Sequence, residues 1–336
     1  MRIGLSLPHY GFSLPGAAPI GFGAMADWAR RAERAGFDSV WVSDHFFYSF
    51  ARYGADPAPI AAMEPLTSLG GLAAVTERVR LGVLVLGAPF RNPVGTAKMA
   101  AAIDAVSGGR LELGLGAGWL KEEFEAFGYA YGSVGERFAI LEDTLAIVTG
   151  LLGADGAAFS HRGATASVHD LRLTPSPVQR PVPVWVGGKG GPRLLRLAAR
   201  HAAGWNIVWR VSEAWYRDKL ADVEAACATE GRDPATFRRT IGLYGLIGRD
   251  EAQARAAFER GRASMPGGAM ASETYESWCA DTLSGTPAQI LDRLGVFEAM
   301  GVEEVVLAPW VLPFAVHEPE QVELFAELVL APLRGR

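Results

Sequence analysis

Short apolar runs alternate with longer amphipathic runs along most of the chain. A continuous apolar run indicates a strand buried on both faces, whereas apolar residues recurring every three or four positions indicate a helix. The predicted strands are residues 2–8, 38–43, 79–87, 110–117, 182–186, 204–208, 240–247 and 302–307. The predicted helices are residues 23–35, 65–76, 94–107, 121–127, 135–152, 191–200, 213–229, 250–262, 287–300 and 318–330.

This alternation predicts an α/β fold in which parallel strands are covered by helices. Since eight such strands close a barrel, we expect a (β/α)8 TIM barrel in a single domain over residues 1–336. A doubly wound sheet is the alternative, but it usually has a glycine-rich turn after its first strand, and His9-Tyr10-Gly11-Phe12 is not that turn. Residues 153–181 and 263–285 break the rhythm and are interpreted as insertions.

Composition narrows the class of protein. Of 336 residues, 49% are hydrophobic and 21% are charged, which is typical of a globular chain. The net charge of −5 comes from interspersed charges, so we expect no nucleic-acid partner. The sequence has no apolar stretch of membrane-spanning length and no signal-peptide pattern, so we expect a cytoplasmic protein without a membrane partner. The two cysteines and six histidines are scattered, so no metal site is predicted.

Candidate catalytic residues follow the second strand. The ends of barrel strands meet at one rim, where the active sites of such folds lie. Asp44 and His45 stand at this position. Histidine can exchange a proton near neutral pH, and a neighbouring carboxylate can bind a cofactor or bias the charge of the imidazole. The alternative is a helix-capping aspartate beside a surface histidine.

Glycine-rich turns follow the fourth and fifth strands. Gly187, Gly188, Lys189 and Gly190 precede a predicted helix, where backbone N–H groups, the helix N-terminus and the lysine charge suit a phosphate. The alternative is a tight turn without a ligand. The small residues Gly116, Ala117 and Gly118 leave room for a flat ring against the backbone, or meet a packing need.

A rim of aromatic and histidine side chains could wall a substrate pocket. The candidates are His9, Tyr10, Phe47, Phe90, Trp119 and Trp310. The insertion at residues 263–285 is either a substrate lid or a packed surface segment. Its large apolar residues are Met265, Met270, Tyr275 and Trp278.

Several longer motifs carry a family resemblance. They are G-F-D-S-V-W-V-S-D-H (36–45), R-V-R-L-G (78–82), F-R-N-P (90–93), S-G-G-R-L-E-L-G-L-G-A-G-W (107–119), P-V-W-V-G-G (183–188), G-W-N (204–206) and G-T-P (285–287). Together they resemble the bacterial luciferase-like superfamily of flavin and deazaflavin oxidoreductases over almost the whole chain. The S-D-H ending of the second strand resembles the branch that uses coenzyme F420, a 5-deazaflavin.

This resemblance implies an F420-dependent oxidoreductase that transfers a hydride between C5 of the deazaflavin and an organic substrate. It implies that Asp44 and His45 lie against the cofactor ring, with His45 carrying a proton. One alternative is a flavin mononucleotide (FMN) monooxygenase that uses reduced flavin and O2. The other is a flavin-binding barrel without catalysis.

The resemblance also implies further contacts and partners. It places a non-proline cis peptide at Leu84-Val85 behind the ring, and the phosphate at the turn that begins at Gly187. Asn206, at the end of the sixth strand, joins the predicted cofactor-binding residues. The implied partners are a small-molecule substrate, a separate F420 or flavin reductase, and a second copy of the chain in a homodimer.

One position departs from the F420 branch. The sugar-phosphate and alcohol dehydrogenases of that branch have a glutamate, which serves as an acid, directly after the glycines of the fourth strand. This chain has Trp119 at that position. Glu122 and Glu123 follow one helical turn later, and we expect them to face solvent or to interact with the helix dipole. Trp119 therefore favours a bulkier or more apolar substrate.

Overall fold

Eight buried strands pair in parallel and close into a barrel in the computed structural model, which describes residues 1–16 and 20–335. The strands are β1 (Arg2–Ser6), β2 (Ser39–Val42), β3 (Arg80–Gly87), β4 (Leu111–Gly116), β5 (Val184–Gly187), β6 (Gly204–Trp209), β7 (Arg238–Tyr244) and β8 (Glu304–Ala308). Each strand pairs with its neighbours in sequence, and β1 closes on β8 with Arg2 opposite Glu304. The predicted (β/α)8 barrel is confirmed.

Helices surround the barrel close to the predicted positions, except for Tyr275–Asp281, which lies in a segment interpreted as an insertion. They are α1 (Phe22–Ala35), α2 (Pro65–Val75), α3 (Pro93–Val106), α4 (Lys121–Ala126), α5 (Val134–Gly153), α6 (Pro192–His201), α7 (Glu213–Thr229), α8 (Glu251–Ser264), α9 (Tyr275–Asp281), α10 (Pro287–Ala299) and α11 (Pro319–Phe325). Thr286 caps α10 and forms a capping box with Gln289. The last predicted helix is divided, because a π-helical turn (Ala326–Leu330) follows α11 and a short helix (Ala331–Arg334) ends the described chain. No helix in the described part of the chain is both long and apolar enough to span a membrane.

Buried charges close the N-terminal end of the barrel. The Arg2 guanidinium lies 3.1 Å from Glu112 and 2.8 Å from Glu304, and the Trp185 indole donates to Glu112 over 2.7 Å. Burial and the neighbouring Glu112 raise the pKa of Glu304. Because these charged side chains pair inside the barrel, this end is filled. The opposite end, where the strands finish, is the end at which active sites of such barrels lie.

The two predicted insertions have different structures. The first contains an antiparallel hairpin, Ala158–Arg162 with Ser167–Arg172, on the outside of the barrel. In the second, Met265, Met270, Tyr275 and Trp278 are buried together around α9. This arrangement favours a packed segment over a substrate lid.

A short two-stranded sheet that was not predicted lies in the loop after β2. Phe47–Tyr48 pairs there with Ile60–Ala61. The turn Ala51–Tyr53, between these strands, packs closely against Gly267, which follows α8. If Gly267 had a Cβ atom, that atom would lie 2.2 Å from the carbonyl oxygen of Tyr53. The two loops therefore meet above the barrel mouth.

Candidate active site

The ends of β2, β3, β4 and β5 form one continuous arc of the barrel mouth. Val85 packs inside this arc against glycines of the next strands. A Cβ on Gly116 or Gly187 would lie 2.7 or 2.6 Å from a Val85 methyl group, so no larger residue fits at either position. The Leu84–Val85 peptide bond is cis, at the predicted position. The structure thus brings together the residues predicted on β3, β4 and β5.

His45 follows β2 and pairs with a buried carboxylate. Its Nδ1 lies 2.8 Å from one oxygen of Glu123, and the other oxygen accepts the Phe46 backbone N–H over 2.7 Å. Glu123 is only 1% exposed. The expectation that Glu123 faces solvent is therefore wrong.

Local structure explains how Glu123 reaches His45. Gly118 adopts a left-handed conformation, with φ of 72°, which turns the chain from β4 towards α4. Phe124 packs against Gly118 and is fully buried, so the adjacent Glu123 also faces inward. At six residues, α4 is too short for apolar periodicity to reveal this buried face.

The pairing assigns different tasks to the two ring nitrogens of His45. An ionised carboxylate can only accept a hydrogen bond, so Nδ1 carries the proton that it shares with Glu123. In the neutral imidazole, Nε2 is then an acceptor. The His45 side chain is partly exposed and lines a cleft. Nε2 is therefore the nitrogen that can exchange a proton with a bound molecule.

Asp44 has structural partners that were not predicted. Both of its oxygens accept from the Arg91 guanidinium, at 2.5 and 2.7 Å, and one also accepts from the Gly87 backbone N–H at 2.7 Å. Arg91 also pairs with Glu64, and these two carboxylates raise its pKa against the opposing effect of burial. Asp44 thus ties the end of β2 to the end of β3. A direct contact between Asp44 and a cofactor stays a prediction.

The cleft beside His45 has a volume of about 670 Å³. The loop after β2 and the first residues of α4 form its walls. Its lining residues are His45, Phe46, Phe47, Tyr48, Ser49, Ala51, Arg52, Pro57, Pro59, Trp119, Leu120, Glu122, Ala126 and Phe127. Trp119 is 54% exposed and meets the His45 ring edge-on, with centroids 5.7 Å apart. Phe47 and Trp119 therefore lie where a substrate pocket was predicted.

The other predicted pocket residues are buried away from this cleft. The Tyr10 hydroxyl donates to Ser43 over 2.7 Å. Phe90 lies against Phe46 and Phe124, and Trp310 stacks on His317. These three side chains pack the loops instead of lining the cleft, because their rings are covered by other aromatic groups.

His9 is fully buried at the end of β1, between Tyr10 and Phe314. Neither of its ring nitrogens has a hydrogen-bond partner among residues 1–16 and 20–335. Burial, with a smaller contribution from nearby His45, lowers the pKa of His9 to about 3. His9 is therefore neutral at physiological pH.

The turn after β5 has the features of an anion site. Gly191 is the N-cap of α6 and no side chain caps this helix, so its first N–H groups are free of side-chain acceptors. Trp205 holds the turn by donating to the Gly188 carbonyl over 2.8 Å, and its ring would clash with any Cβ on Gly190. Lys189 is exposed and forms no ion pair with any residue that the structure describes.

Asn206 lies inside the barrel on β6. The Asn206 amide donates to the Thr240 hydroxyl over 2.9 Å inside the barrel, opposite Gly187 in the strand register. Its contact with a cofactor stays a prediction. Within the described ranges, no group of three His, Cys, Asp or Glu side chains is placed to hold a metal ion.

Comparison with known proteins gives one family model and several relatives. The model for luciferase-like monooxygenases matches residues 1–304. An FMNH2-dependent dimethylsulfone monooxygenase from Pseudomonas putida is 28% identical, with 91% of this chain and 86% of that protein covered. An F420-dependent glucose-6-phosphate dehydrogenase from Amycolatopsis mediterranei is 33% identical, with 68% and 67% covered.

Among solved structures, an F420-dependent secondary alcohol dehydrogenase in complex with an F420-acetone adduct has a similar fold. The TM-score is 0.77, the identity is 18%, and 98% of each chain is covered. At this identity, the likeness concerns the fold.

Proposed function

Because this chain belongs to the luciferase-like monooxygenase family, a family of enzymes, we propose that it is a coenzyme F420-dependent oxidoreductase. In this proposal, a hydride passes between C5 of the deazaflavin and an organic substrate. The observation that carries it is His45, which Glu123 orients at an apolar cleft on the same arc of the barrel mouth as the turn at Gly187. The motif Ser43-Asp44-His45 and the relative from Amycolatopsis mediterranei support F420 as the cofactor.

The residues of the mouth fit such a cofactor. The wall formed by Gly114, Gly116 and Gly187 has no side chains of its own, and a Cβ at any of these positions would collide with Val85. The uncapped start of α6 and the charge of Lys189 suit a phosphate group. Backbone N–H groups and a lysine are the donors that a phosphate needs.

The side chains of this chain have separate tasks in the proposed reaction. A bound deazaflavin supplies hydride transfer. His45 exchanges a proton with the substrate at Nε2, while Glu123 stabilises the positive charge that the imidazole gains. Trp119 and Phe127 form apolar walls of the cleft, against which an apolar part of the substrate can pack.

An FMN-dependent monooxygenase is the second candidate. The relative from Pseudomonas putida, which matches 91% of this chain, favours it. The glycine wall and the turn at Gly187 would serve a flavin phosphate equally well.

Cofactor titrations distinguish the candidates. We expect the purified protein to quench F420 fluorescence at lower concentration than FMN fluorescence. Lys189→Ala should weaken F420 binding about tenfold, because one charge-assisted contact is lost, and the loss should shrink at high salt. Lys98→Ala, at an exposed lysine on the outer helix α3, is the control and should bind F420 as the unaltered protein does.

Two results would overturn the proposal, and a third would change the proposed cofactor site. Preferential FMN binding with oxygen-dependent product formation would establish the monooxygenase. Tight flavin binding without turnover would favour the non-catalytic barrel. An unchanged F420 affinity in Lys189→Ala would remove the turn at Gly187 from the cofactor site.

A further inference from the structure

Arg52 is the only lysine or arginine among the described residues that line the cleft beside His45. We propose that this cleft selects a flat, apolar substrate that carries an anionic group, with Trp119 contacting the apolar part and Arg52 binding the anion. This inference rests on the proposed function, because it describes the substrate of the same site. It adds a substrate class that the cofactor does not determine.

The position of Arg52 is set by aromatic rings. Its guanidinium carbon lies 5.3 Å from the centroid of Trp119 and 5.0 Å from that of Tyr53. Stacking engages the faces of the guanidinium, whereas its N–H donors lie in the plane and point outward. The group is therefore held in place with its donors available.

No carboxylate in the described ranges neutralises Arg52 by an ion pair. Arg91 is the contrasting case, because two carboxylates bind it near the same strand end. An aromatic ring attracts a cation without cancelling its charge. Arg52 is exposed and therefore leaves a net positive charge at the edge of a mostly apolar cleft, where it can attract an anion.

Trp119 contacts both the proton-exchanging group and the cation. The centroid of its ring lies 5.7 Å from that of His45 and 5.3 Å from the guanidinium carbon of Arg52. A planar substrate resting on Trp119 would have its reacting carbon near His45 and its anionic group near Arg52. A cleft of about 670 Å³ has the size of ordinary small-molecule sites and is large enough for one or two fused rings.

Glu122 is the opposing charge in the cleft. It belongs to α4, whereas Arg52 belongs to the turn after β2, and no ion pair joins them within the described residues. Its carboxylate repels an anion from the α4 wall. The two charges therefore orient the anionic end of the substrate towards Arg52.

Binding of matched probes to the F420-loaded protein tests this inference. The probes are 2-naphthoate and its neutral analogue 2-naphthamide, measured by titration calorimetry. We expect naphthoate to bind about tenfold more tightly, the effect of one charge-assisted contact. Arg52→Met should abolish the preference, and Arg52→Lys should keep part of it, because lysine retains the charge but loses the planar stacking.

A matched control is Arg31→Met, because Arg31 also stacks on a tryptophan, Trp28, at 5.0 Å but lies on α1. It should leave both affinities unchanged. Glu122→Gln should strengthen naphthoate binding about twofold and leave naphthamide unaffected. Thermal melting of each variant shows whether it is folded.

Failure of the substrate inference can be distinguished from failure of the proposed function. If F420 binds but the two probes bind equally well, or the preference survives Arg52→Met, the substrate inference is overturned and the proposed function stands. If F420 does not bind, the proposed function fails. A naphthoate preference that still depends on Arg52 in the cofactor-free protein would then support the anion site alone.

Discussion

Replacing Glu123 by glutamine removes a buried charge and keeps the shape of the side chain. The Phe46 N–H still needs an acceptor, so the amide oxygen stays with Phe46 and the amide nitrogen faces Nδ1 of His45. An amide nitrogen can only donate, so Nδ1 must become the acceptor and the ring proton moves to Nε2. His45 would then face the cleft with the wrong tautomer.

The expected loss of rate in Glu123→Gln follows from the hydrogen bond that is lost. A hydrogen bond between an imidazole and a charged group contributes about 1.5–3 kcal/mol. If this interaction strengthens as the imidazole gains positive charge, its loss slows proton exchange about 10- to 100-fold. Cofactor affinity should change little, because Glu123 is buried and bonds only to the segment after β2.

Three measurements check the reasoning. Single-turnover rates should fall in Glu123→Gln, F420 affinity should hold, and nitrogen-15 NMR of His45 should show the proton moving from Nδ1 to Nε2. Glu125→Gln is the control, because Glu125 is exposed on the same helix and pairs only with Lys121 in the described chain. Since Glu123 acts through His45, the double variant with His45→Gln should be no slower than His45→Gln alone. An unchanged single-turnover rate and tautomer in Glu123→Gln would show that Glu123 does not orient His45. Rate losses that multiply in the double variant would show that Glu123 acts independently of His45.

Two further predictions concern buried groups. Asp44→Asn breaks the bidentate pair with Arg91. The free energy of unfolding, measured by urea denaturation, should fall by about 2–3 kcal/mol. A weaker F420 affinity at unchanged stability would instead favour a direct contact between Asp44 and the cofactor. For His9, burial lowers the pKa in the folded state to about 3, below the ordinary value of 6.5. Protons therefore bind preferentially to the unfolded chain, and the free energy of unfolding falls as the pH drops from 6.5 towards 3. Between pH 7 and 5.5, the chain should therefore lose roughly 1 kcal/mol more stability than His9→Phe, and equal losses would contradict a neutral buried His9.

The barrel could be predicted because burial leaves a local trace in the chain. Each strand is covered on both faces, so it appears as an unbroken apolar run. The cap of α10 is also local, because Thr286 and Gln289, which form it, lie within four residues. The turn at Gly187 could be predicted for a similar reason, since glycines and a following helix lie together in sequence.

The partners of the site residues could not be predicted in this way. His45 and Glu123 are 78 positions apart, and Asp44 and Arg91 are 47 apart. Such pairs depend on which strand ends converge and how a six-residue helix is rotated. The aromatic residues at the strand ends show the same limit, since Phe47 and Trp119 line the cleft whereas Phe90 and Trp310 are buried.

Apolar spacing in this chain is sufficient to predict eight strands and their order in a closed barrel. It does not show whether a polar or aromatic side chain faces the cleft, an ion-pair partner or the protein interior. Hydrophobic burial acts on each segment in proportion to its own surface, so its pattern can be seen along the chain. Hydrogen bonds and ion pairs form between two groups at short range, so their partners are known only when the closed barrel brings distant loops together.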